Sequence, residues 1–268
     1  MADPVISVDS LTVQYGDHRV LNGVSLDIQP GEVMALLGGS GSGKTTMLRH
    51  IIGLERPTSG TVRIRGVDIN RCSPKELKDI RCTMGVAFQE CALFNSMSIE
   101  ENVSLPLREL TNLADPVIEI MTYMKLVAVG LGQAAKQMPQ ELSGGMKKRA
   151  AVARATALDP EILVFDEPSA GLDPIVAAGL DDLILLLKRA FHMTILVVTH
   201  ELASAFRVAD RLAMLYQGSL IAVDSKDAFR ASTQPRIRQF LDRTADAFDS
   251  TVVLDHFRQL AGITGARG

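Results

Sequence analysis

The sequence predicts an α/β protein with a mostly parallel central sheet, an antiparallel side sheet and an all-helical insert. Strand patterns and helix patterns alternate along most of the chain, which is typical of a parallel sheet covered by helices. Several short runs are apolar throughout, as in strands that are buried on both faces. Between about residues 98 and 158 only helix patterns occur, and these predict the insert.

The opening residues show the alternation of strands that bury one face. Residues 5–15 are predicted to form a strand, a turn and a second strand, and residues 24–28 alternate again. A turn signal, Gln-Pro-Gly-Glu, follows at residues 29–32. We expect these first strands to form the antiparallel side sheet.

The central sheet is predicted from apolar runs and from the helix signals between them. The runs occupy residues 33–37, 84–88, 162–165 and 194–198, and a hairpin is predicted around residues 212–223. Helices are predicted from Lys44 and over residues 176–191. Ser73 and Ser98 each precede a glutamate by three residues, which indicates two capping boxes.

The predicted domain organisation is a main domain over residues 1–234, containing the helical insert, and a helical extension over residues 235–268. The extension is more polar and begins near Pro235. Its apolar positions suggest an amphipathic stretch that packs either on its own domain or across a dimer: Ile237, Phe240, Leu241, Phe248, Val252, Val253 and Leu254.

Composition excludes several classes of function. The net charge of −3 and the absence of a long basic run argue against a nucleic-acid partner. The three cysteines form no CxxC pair, so neither a zinc site nor a disulfide scaffold is predicted. No signal peptide is visible, and no apolar run approaches the roughly 18 residues that span a bilayer. A role at a membrane would therefore need a membrane-spanning partner chain.

A glycine-rich loop follows the apolar run at residues 33–37 and matches the pattern G-x-x-x-x-G-K-[ST]. Its residues are Gly38, Gly39, Ser40, Gly41, Ser42, Gly43, Lys44 and Thr45, followed by Thr46. Glycines allow backbone N–H groups to surround phosphate oxygens, and a helix N-terminus attracts the same anion. Lys44 is predicted to reach the β- and γ-phosphates of ATP, and Thr45 to bind Mg²⁺.

Two adjacent acids, Asp166 and Glu167, end the apolar run at residues 162–165. Two carboxylates at the end of a buried strand are costly unless a cation meets them. Beside a phosphate loop, Asp166 is predicted to hold Mg²⁺ and Glu167 to polarise the water that attacks the γ-phosphate.

Further motifs resemble those of the ABC ATPase family, and they occur along the chain in the order typical of that family. Leu142–Met146 resembles the signature motif, and Gln89 resembles the glutamine of the Q-loop. Residues 169–174 resemble the D-loop, His200 resembles the switch histidine, and Tyr15 lies at the place of the aromatic that stacks on adenine. The resemblance covers nearly the whole chain and implies the P-loop NTPase fold of ABC ATPases.

The resemblance also implies a homodimer in which each ATP lies between the phosphate loop of one subunit and the signature of the other. Ser143, Gly144 and Gly145 would then contact the partner's ATP. His200 and Gln89 would act beside Glu167 and Lys44 in catalysis, and Gln89 would also face the metal. Asp173 would act at the dimer interface.

The basic residues that follow the signature are equally consistent with a solvated helix face and with a direct role. They are Lys147, Lys148 and Arg149.

Integral-membrane permease subunits are implied as partners, with residues 91–97 as candidate lining for permease docking. The chain would sit on the cytoplasmic side of the inner membrane, attached through the permease.

One residue departs from the family pattern and helps to indicate which subfamily the chain resembles. Met146 stands where the signature normally has Gln, and its side chain cannot donate amide hydrogen bonds. We expect activity to survive, because its neighbours carry the phosphate contact. The segments that resemble the ATPases of Mla- and Mce-type lipid transport are residues 92–95, 101–103, 106–109, 127–132, 134–139, 141–146 and 235–242.

This narrower resemblance implies phospholipid transport between bacterial membranes, with a further lipid-binding subunit. Two alternatives stay open at this point. One is the ATPase of an importer for a small polar solute. The other is an ABC ATPase outside transport, acting on ribosomes or DNA, against which the single domain and the absence of a heptad run argue.

Overall fold

A computed structural model describes residues 3–244 of the chain. Its strands are β1 Ile6–Tyr15, β2 His18–Ile28, β3 Val33–Leu37, β4 Ser59–Ile64, β5 Val67–Asp68, β6 Met84–Ala87, β7 Ile162–Asp166, β8 Thr194–Thr199, β9 Arg211–Tyr216 and β10 Ser219–Ser225. Its α-helices are α1 Lys44–Ile51, α2 Pro74–Cys82, α3 Ile99–Leu110, α4 Asp115–Ala128, α5 Gly144–Ala155, α6 Pro174–Phe191, α7 Leu202–Val208, α8 Lys226–Ala231 and α9 Pro235–Leu241.

The central sheet has six strands in the order β10-β9-β3-β8-β7-β6. Strands β9, β3, β8, β7 and β6 run parallel, and β10 joins the edge antiparallel to β9. Every residue of β3, β7 and β8 is buried. The sheet confirms the predicted parallel core, and the β9–β10 hairpin lies where it was predicted.

The side sheet is antiparallel, as predicted, with the order β2-β1-β4-β5. The prediction that residues 5–15 fold as strand, turn and strand is wrong, because they form the single strand β1. Ser10 has a left-handed φ of 51°, and the pairing register with β2 shifts between Val8 and Leu11. A bulge of this kind breaks the alternation of side chains without reversing the chain, so it resembles a turn in the sequence.

The helical insert lies between β6 and β7 and consists of α3, α4 and α5, which pack on one another. Ser98 Oγ accepts a hydrogen bond from the Glu101 N–H at 3.3 Å, and the Ser98 N–H donates to Glu101 at 2.6 Å. This is the capping box that the sequence predicts, and Ser73 forms the other one with Glu76. The N-terminus of each helix is therefore set by its own sequence.

The apolar core forms two clusters that include different faces of the central-sheet strands. Met34, Leu36, Val164 and Leu196 join one cluster with the side sheet and α1. Leu163, Phe165, Ile195 and Val197 join the other with α3, α5 and α6. Because successive side chains of a strand point to opposite faces, each strand contributes to both clusters. This double burial holds the central strands rigidly under the loops that follow them.

The chain divides into two compact units, the first ending at Phe229 and the second beginning at Arg230. In the second unit Gln234 caps α9, accepting a hydrogen bond from the Ile237 N–H at 2.8 Å. The division predicted after residue 234 remains a prediction about domain organisation. Ile237, Phe240 and Leu241 of the predicted amphipathic stretch lie in or at the end of α9, whereas residues 248 and 252–254 lie outside the described residues.

No helix within residues 3–244 is both long enough and apolar enough to cross a membrane.

Candidate nucleotide-binding site

The predicted site residues meet at the carboxyl edge of the central sheet. The register places Leu37 opposite Thr199, and Asp166 opposite Val198, so the ends of β3, β8 and β7 lie side by side. β6 pairs with β7 at the edge of the sheet, which brings Gln89 to the same end. In open α/β sheets this edge is where ligands bind.

The phosphate loop connects the end of β3 to the first turn of α1, and all of its predicted residues from Gly38 to Thr46 lie there. The Lys44 ammonium donates to the carbonyl oxygens of Gly38 at 2.8 Å and Gly39 at 3.0 Å, which folds its side chain over the loop. Gly43 has a left-handed φ of 104°, and a Cβ there would lie 2.7 Å from Leu21 Cδ2. Only glycine fits that position, and the loop presents backbone N–H groups as the anion requires.

The acid pair ends β7 beside the phosphate loop. Asp166 and Glu167 are 7% and 8% exposed, and Glu167 has a left-handed φ of 47°. Burial raises the pKa of the Asp166 carboxyl, and the neighbouring Glu167 raises it further. Burial also lowers the pKa of Lys44, although the charges of Glu167 and Asp166 oppose that shift. The lysine and the two acids therefore share one electrostatic environment.

Three groups hold the carboxylate of Glu167 through the same oxygen, Oε2. The Thr199 hydroxyl donates to it at 3.1 Å, and the His200 backbone N–H donates at 3.3 Å. The Nδ1 atom of the His200 ring lies 2.9 Å from it, and the His200 side chain remains 56% exposed. The end of β8 thus fixes the orientation of the predicted base, and the histidine ring reaches both the base and open space.

The residues present fit Mg²⁺ bound together with phosphate oxygens. Asp166 Oδ1 is buried and has no hydrogen-bond partner, so a carboxylate oxygen at the strand end lacks a partner that a cation would supply. Thr45 and Gln89 are exposed near the same edge. Within the described residues, no group of three or more histidine, cysteine or acidic side chains could hold a metal. At phosphate sites Mg²⁺ is usually bound by only one or two protein carboxylates, and substrate phosphates and waters supply its other ligands.

The signature motif forms the start of α5 and packs against the start of α6. Ser143 caps α5, and its hydroxyl accepts from the Met146 N–H at 3.3 Å. A Cβ on Gly145 would lie 2.5 Å from Val176 Cγ1, so the motif packs tightly against α6. No hydrogen bond in the described part of the chain joins Ser143, Gly144 or Gly145 to the phosphate loop.

A cavity of about 500 Å³ lies beside the signature and is lined in part by Gln89, Leu93, Gly144 and Gly171. Leu93 belongs to the segment predicted for permease docking. Asp173 lies just beyond Gly171, and its carboxylate caps α6 by accepting from the N–H groups of residues 175 and 176 at 3.0 and 3.1 Å. The predicted Q-loop, signature and D-loop residues are therefore neighbours in one chain.

Tyr15 is half-exposed at the end of β1, with its ring available to a ligand. Its hydroxyl donates to Glu55, which also accepts from Arg49 at 3.2 Å. The hydrogen bond to Glu55 is the main cause of the raised pKa of Tyr15. Sequence analysis did not identify Glu55, because no local pattern links it to a residue 40 positions earlier.

Lys148 differs from the expectation of a solvated basic face. It is only 9% exposed, and its ammonium donates to the main-chain carbonyls of Gln89 at 2.5 Å and Glu167 at 3.2 Å. The helical period gave a signal that could have found it: Ala151 and Val152, three and four residues later, are both buried. Arg149 donates to the carbonyl of Val129 at 3.3 Å.

Residues 21–170 match the sequence model of a family described as ABC transporter, and this segment is more than half of the chain. The chain belongs to this family. It is therefore an ABC ATPase, which binds ATP and couples its hydrolysis to transport, and the predicted fold is confirmed.

Relatives with curated names extend the match beyond that segment. The chain is 45% identical over 237 residues to the "Probable ribonucleotide transport ATP-binding protein mkl" of Mycobacterium leprae, covering 88% of this chain and 68% of the relative. It is 41% identical over 242 residues to the "Intermembrane phospholipid transport system ATP-binding protein MlaF" of Escherichia coli K12, covering 90% of both chains. The chain thus spans about two thirds of the mycobacterial relative and most of the enterobacterial one.

A solved structure with the same fold is titled "Dimeric structure of a post-hydrolysis state of the ATP-binding cassette MJ0796 bound to ADP and Pi". The two chains superpose with a TM-score of 0.75 at 30% identity, and the match covers 82% of this chain and 98% of that one. That cassette is a dimer holding the products of ATP hydrolysis.

Proposed function

We propose that this chain is the ATP-hydrolysing subunit of a transporter that moves phospholipid between bacterial membranes. The observation that carries the proposal is the 41% identity to MlaF, which extends over 90% of both chains. It spans the phosphate loop, the acid pair and the signature, whose geometry is described above.

The phosphate loop and Lys44 would hold ATP, and Tyr15 would stack on its adenine ring. Backbone N–H groups of the loop and the start of α1 meet the phosphate charge, and the Lys44 ammonium would exchange its two carbonyl partners for β- and γ-phosphate oxygens. Thr45, Gln89 and Asp166 would hold Mg²⁺. An ion held there would neutralise phosphate charge.

Glu167 would orient and polarise the water that attacks the γ-phosphate. Its Oε2 is anchored by Thr199 and His200, so the carboxylate is oriented before any substrate arrives. The exposed His200 ring lies 2.9 Å from that oxygen and would contact the γ-phosphate. Pre-oriented groups of this kind lower the barrier because they need no rearrangement during the reaction.

The working unit would be a homodimer. In each chain the signature residues Ser143, Gly144 and Gly145 lie at the N-terminus of α5, and within the described residues they make no hydrogen bond to the phosphate loop of the same chain. A second copy that supplies its α5 N-terminus to the γ-phosphate would complete each site, and Asp173 would lie at that interface. The dimeric state of the MJ0796 cassette supports this arrangement.

The remaining partners would be integral-membrane permease subunits and a lipid-binding subunit. The permease would place this chain on the cytoplasmic side of the inner membrane. Residues 91–97 offer an apolar contact for it, since Phe94 is about half exposed and Leu93 lines the cavity beside the signature. ATP-driven closure of the dimer would move this segment and so drive the permease.

Transport of a polar solute is the second candidate, because the higher identity is to a protein named for ribonucleotide transport. The two candidates are distinguished by purifying the tagged full chain from detergent-solubilised membranes of its native host. A permease that carries retained phospholipid supports the lipid assignment. A permease with a solute receptor and no retained lipid would replace it. Recovery of ribosomes or DNA-repair factors without a membrane protein would overturn the transport role altogether.

A further inference from the structure

Lys148 occupies an unusual place, since it is a buried lysine on the helix that carries the signature motif. Its ammonium donates to the main-chain carbonyls of Gln89 and Glu167, at 2.5 and 3.2 Å, and to no acidic side chain within the described residues. Burying a charged group is costly unless polar partners compensate it. The two main-chain carbonyls are therefore the groups that compensate for burial of the Lys148 charge, and the lysine in turn holds both of them.

Both carbonyls belong to residues that have assigned roles at the hydrolysis site. Glu167 has a left-handed backbone, and its N–H donates to the Val198 carbonyl at 2.8 Å, so its peptide groups are held on both sides. Gln89 begins the loop that leaves β6. One ammonium on α5 thus joins the peptide of the predicted base to the peptide of the glutamine that would face the metal.

A second basic residue of α5 fastens the same loop. Arg154 donates to the carbonyls of Cys91 at 2.8 Å and Ala92 at 2.7 Å. Both loop residues have left-handed φ angles, 61° and 48°, a conformation that costs energy for side chains other than glycine. Burial lowers the pKa of Arg154. The loop after Gln89 is therefore bound to α5 through three carbonyls.

The first turn of α5 is the signature motif, capped by Ser143. A displacement of the Gln89 loop or of the Glu167 peptide is transmitted to this helix through Lys148. We propose that Lys148 is a positioning residue that couples the hydrolysis site of its own subunit to the signature motif offered to the partner subunit. This proposal rests on the proposed function, in which Glu167 hydrolyses ATP within a dimer.

The test compares the steady-state ATPase activity of the purified full chain with that of three variants: Lys148→Met, Lys148→Gln and Lys148→Arg. Lys148→Met removes both hydrogen bonds while retaining most of the side-chain volume. We expect its kcat to fall about tenfold, equivalent to about 1.4 kcal/mol in the barrier, with the ATP KM changed less than threefold. We expect kcat to decrease in the order Lys148→Arg, Lys148→Gln, Lys148→Met. Arg restores a charged donor and Gln restores an uncharged one.

Lys136→Met is the matched control, since that lysine is exposed in the same helical insert and pairs only with Glu100 among the described residues. It should keep wild-type kinetics. Thermal melting of every variant identifies those that are folded, and Lys148→Gln and Lys148→Arg keep the test valid if Lys148→Met does not fold.

A second measurement reads the coupling directly. In a Glu167→Gln background, ATP should drive dimer formation, and adding Lys148→Met should raise the protein concentration needed for the dimer about tenfold without changing ATP binding to the monomer. If Lys148 only supported the fold, its loss would not raise the concentration needed for the dimer while leaving ATP binding to the monomer unchanged. Wild-type kcat and wild-type dimer formation in folded Lys148 variants would overturn the proposal. A wild-type chain that does not hydrolyse ATP would overturn the proposed function, and the coupling with it.

Discussion

The chemistry of the site depends on a few side chains whose partners the fold brings within 3.5 Å. Lys44 contacts the phosphate loop through two carbonyls, and Oε2 of Glu167 accepts from Thr199 and from the His200 N–H. Because each of these groups is held before ATP binds, removing one should affect its own step and leave the fold intact.

Lys44→Ala should weaken ATP binding about a hundredfold, since hydrogen bonds from a charged donor contribute roughly 1.5–3 kcal/mol each. Equilibrium titration with a fluorescent ATP analogue measures the loss. Lys78→Ala, at an exposed lysine on α2, is the control and should bind normally. Tight ATP binding by Lys44→Ala would contradict the phosphate-loop assignment.

Tyr15→Ala should weaken ATP binding by about tenfold, because stacking of a base on an aromatic ring contributes roughly 1–3 kcal/mol. Tyr15→Phe keeps the ring but loses the hydrogen bond to Glu55, so its effect should be smaller. The same titration checks both variants. Equal loss in the two would mean that the hydroxyl, rather than the ring, contacts the nucleotide.

Residue roles could be predicted from sequence where the signal is local. The phosphate loop directly follows β3, and Asp166 and Glu167 lie at the end of β7, so their positions alone place them at the carboxyl edge of the sheet. The partners of Lys148 lie 59 and 19 residues away, and Glu55 lies 40 residues from Tyr15. Contacts over such separations depend on how strands and helices pack, which residue patterns do not encode.

Among the elements, α5 has two roles, because its first turn is the signature and its later residues hold the loop after β6. The unusual Met146 is half-buried against the apolar cluster shared with α6. Its side chain therefore contributes to packing, consistent with the expectation that activity does not require an amide there. The surface of the turn that would face phosphate in the proposed dimer consists of Ser143 and the two glycines after it.

Element prediction succeeded where capping and apolar runs agree and failed where they do not. Ser98 with Glu101 marks the start of α3, and the structure forms that capping box. The bulge at Ser10 was mistaken for a turn, since both interrupt the alternation of side chains. Helix α7 was not predicted, because its seven residues give less than two full turns of periodicity.

The contact between α6 and α7 predicts a pH effect on stability. Asp181 is buried, and that burial raises the pKa of its carboxyl, although the Ser204 hydroxyl donates to it at 3.1 Å and opposes the shift. A carboxyl whose pKa is raised by folding destabilises the fold progressively as pH rises above the pKa of the unfolded aspartate, and the cost is complete once pH exceeds the raised pKa. Asp181→Asn removes this cost and keeps an acceptor for Ser204.

Asp181→Asn should therefore raise the melting temperature at pH 7, and the gain should shrink as pH falls towards the pKa of an unfolded aspartate. Differential scanning calorimetry across pH 4–7.5 measures it. Asp182→Asn is the control, because Asp182 pairs with Arg207 at an exposed position and should change stability by less than about 1 kcal/mol. A lower melting temperature for Asp181→Asn at pH 7 would show that the ionised form is stabilised.

On the scale of the whole molecule, the central sheet would supply one half of each catalytic site in the proposed dimer, and the helical insert would supply the other half to the partner copy. Separating the halves in this way would make hydrolysis depend on dimer formation, and it would let hydrolysis reopen the dimer. The Lys148 contacts place a mechanical link between the two halves within each chain. In the proposed transporter, the permease and its accessory subunits would determine which substrate is moved.

The most direct test of ATP hydrolysis by a dimer is a parallel measurement of steady-state ATPase rate and oligomeric state for the wild type and Glu167→Gln. We expect the wild type to hydrolyse ATP and Glu167→Gln to lose at least about a hundredfold in kcat, in line with the loss of a general base. With ATP and Mg²⁺, Glu167→Gln should also accumulate as a dimer, while without nucleotide both should be monomers. Unchanged turnover in Glu167→Gln, or a variant that stays monomeric with ATP bound, would contradict the account.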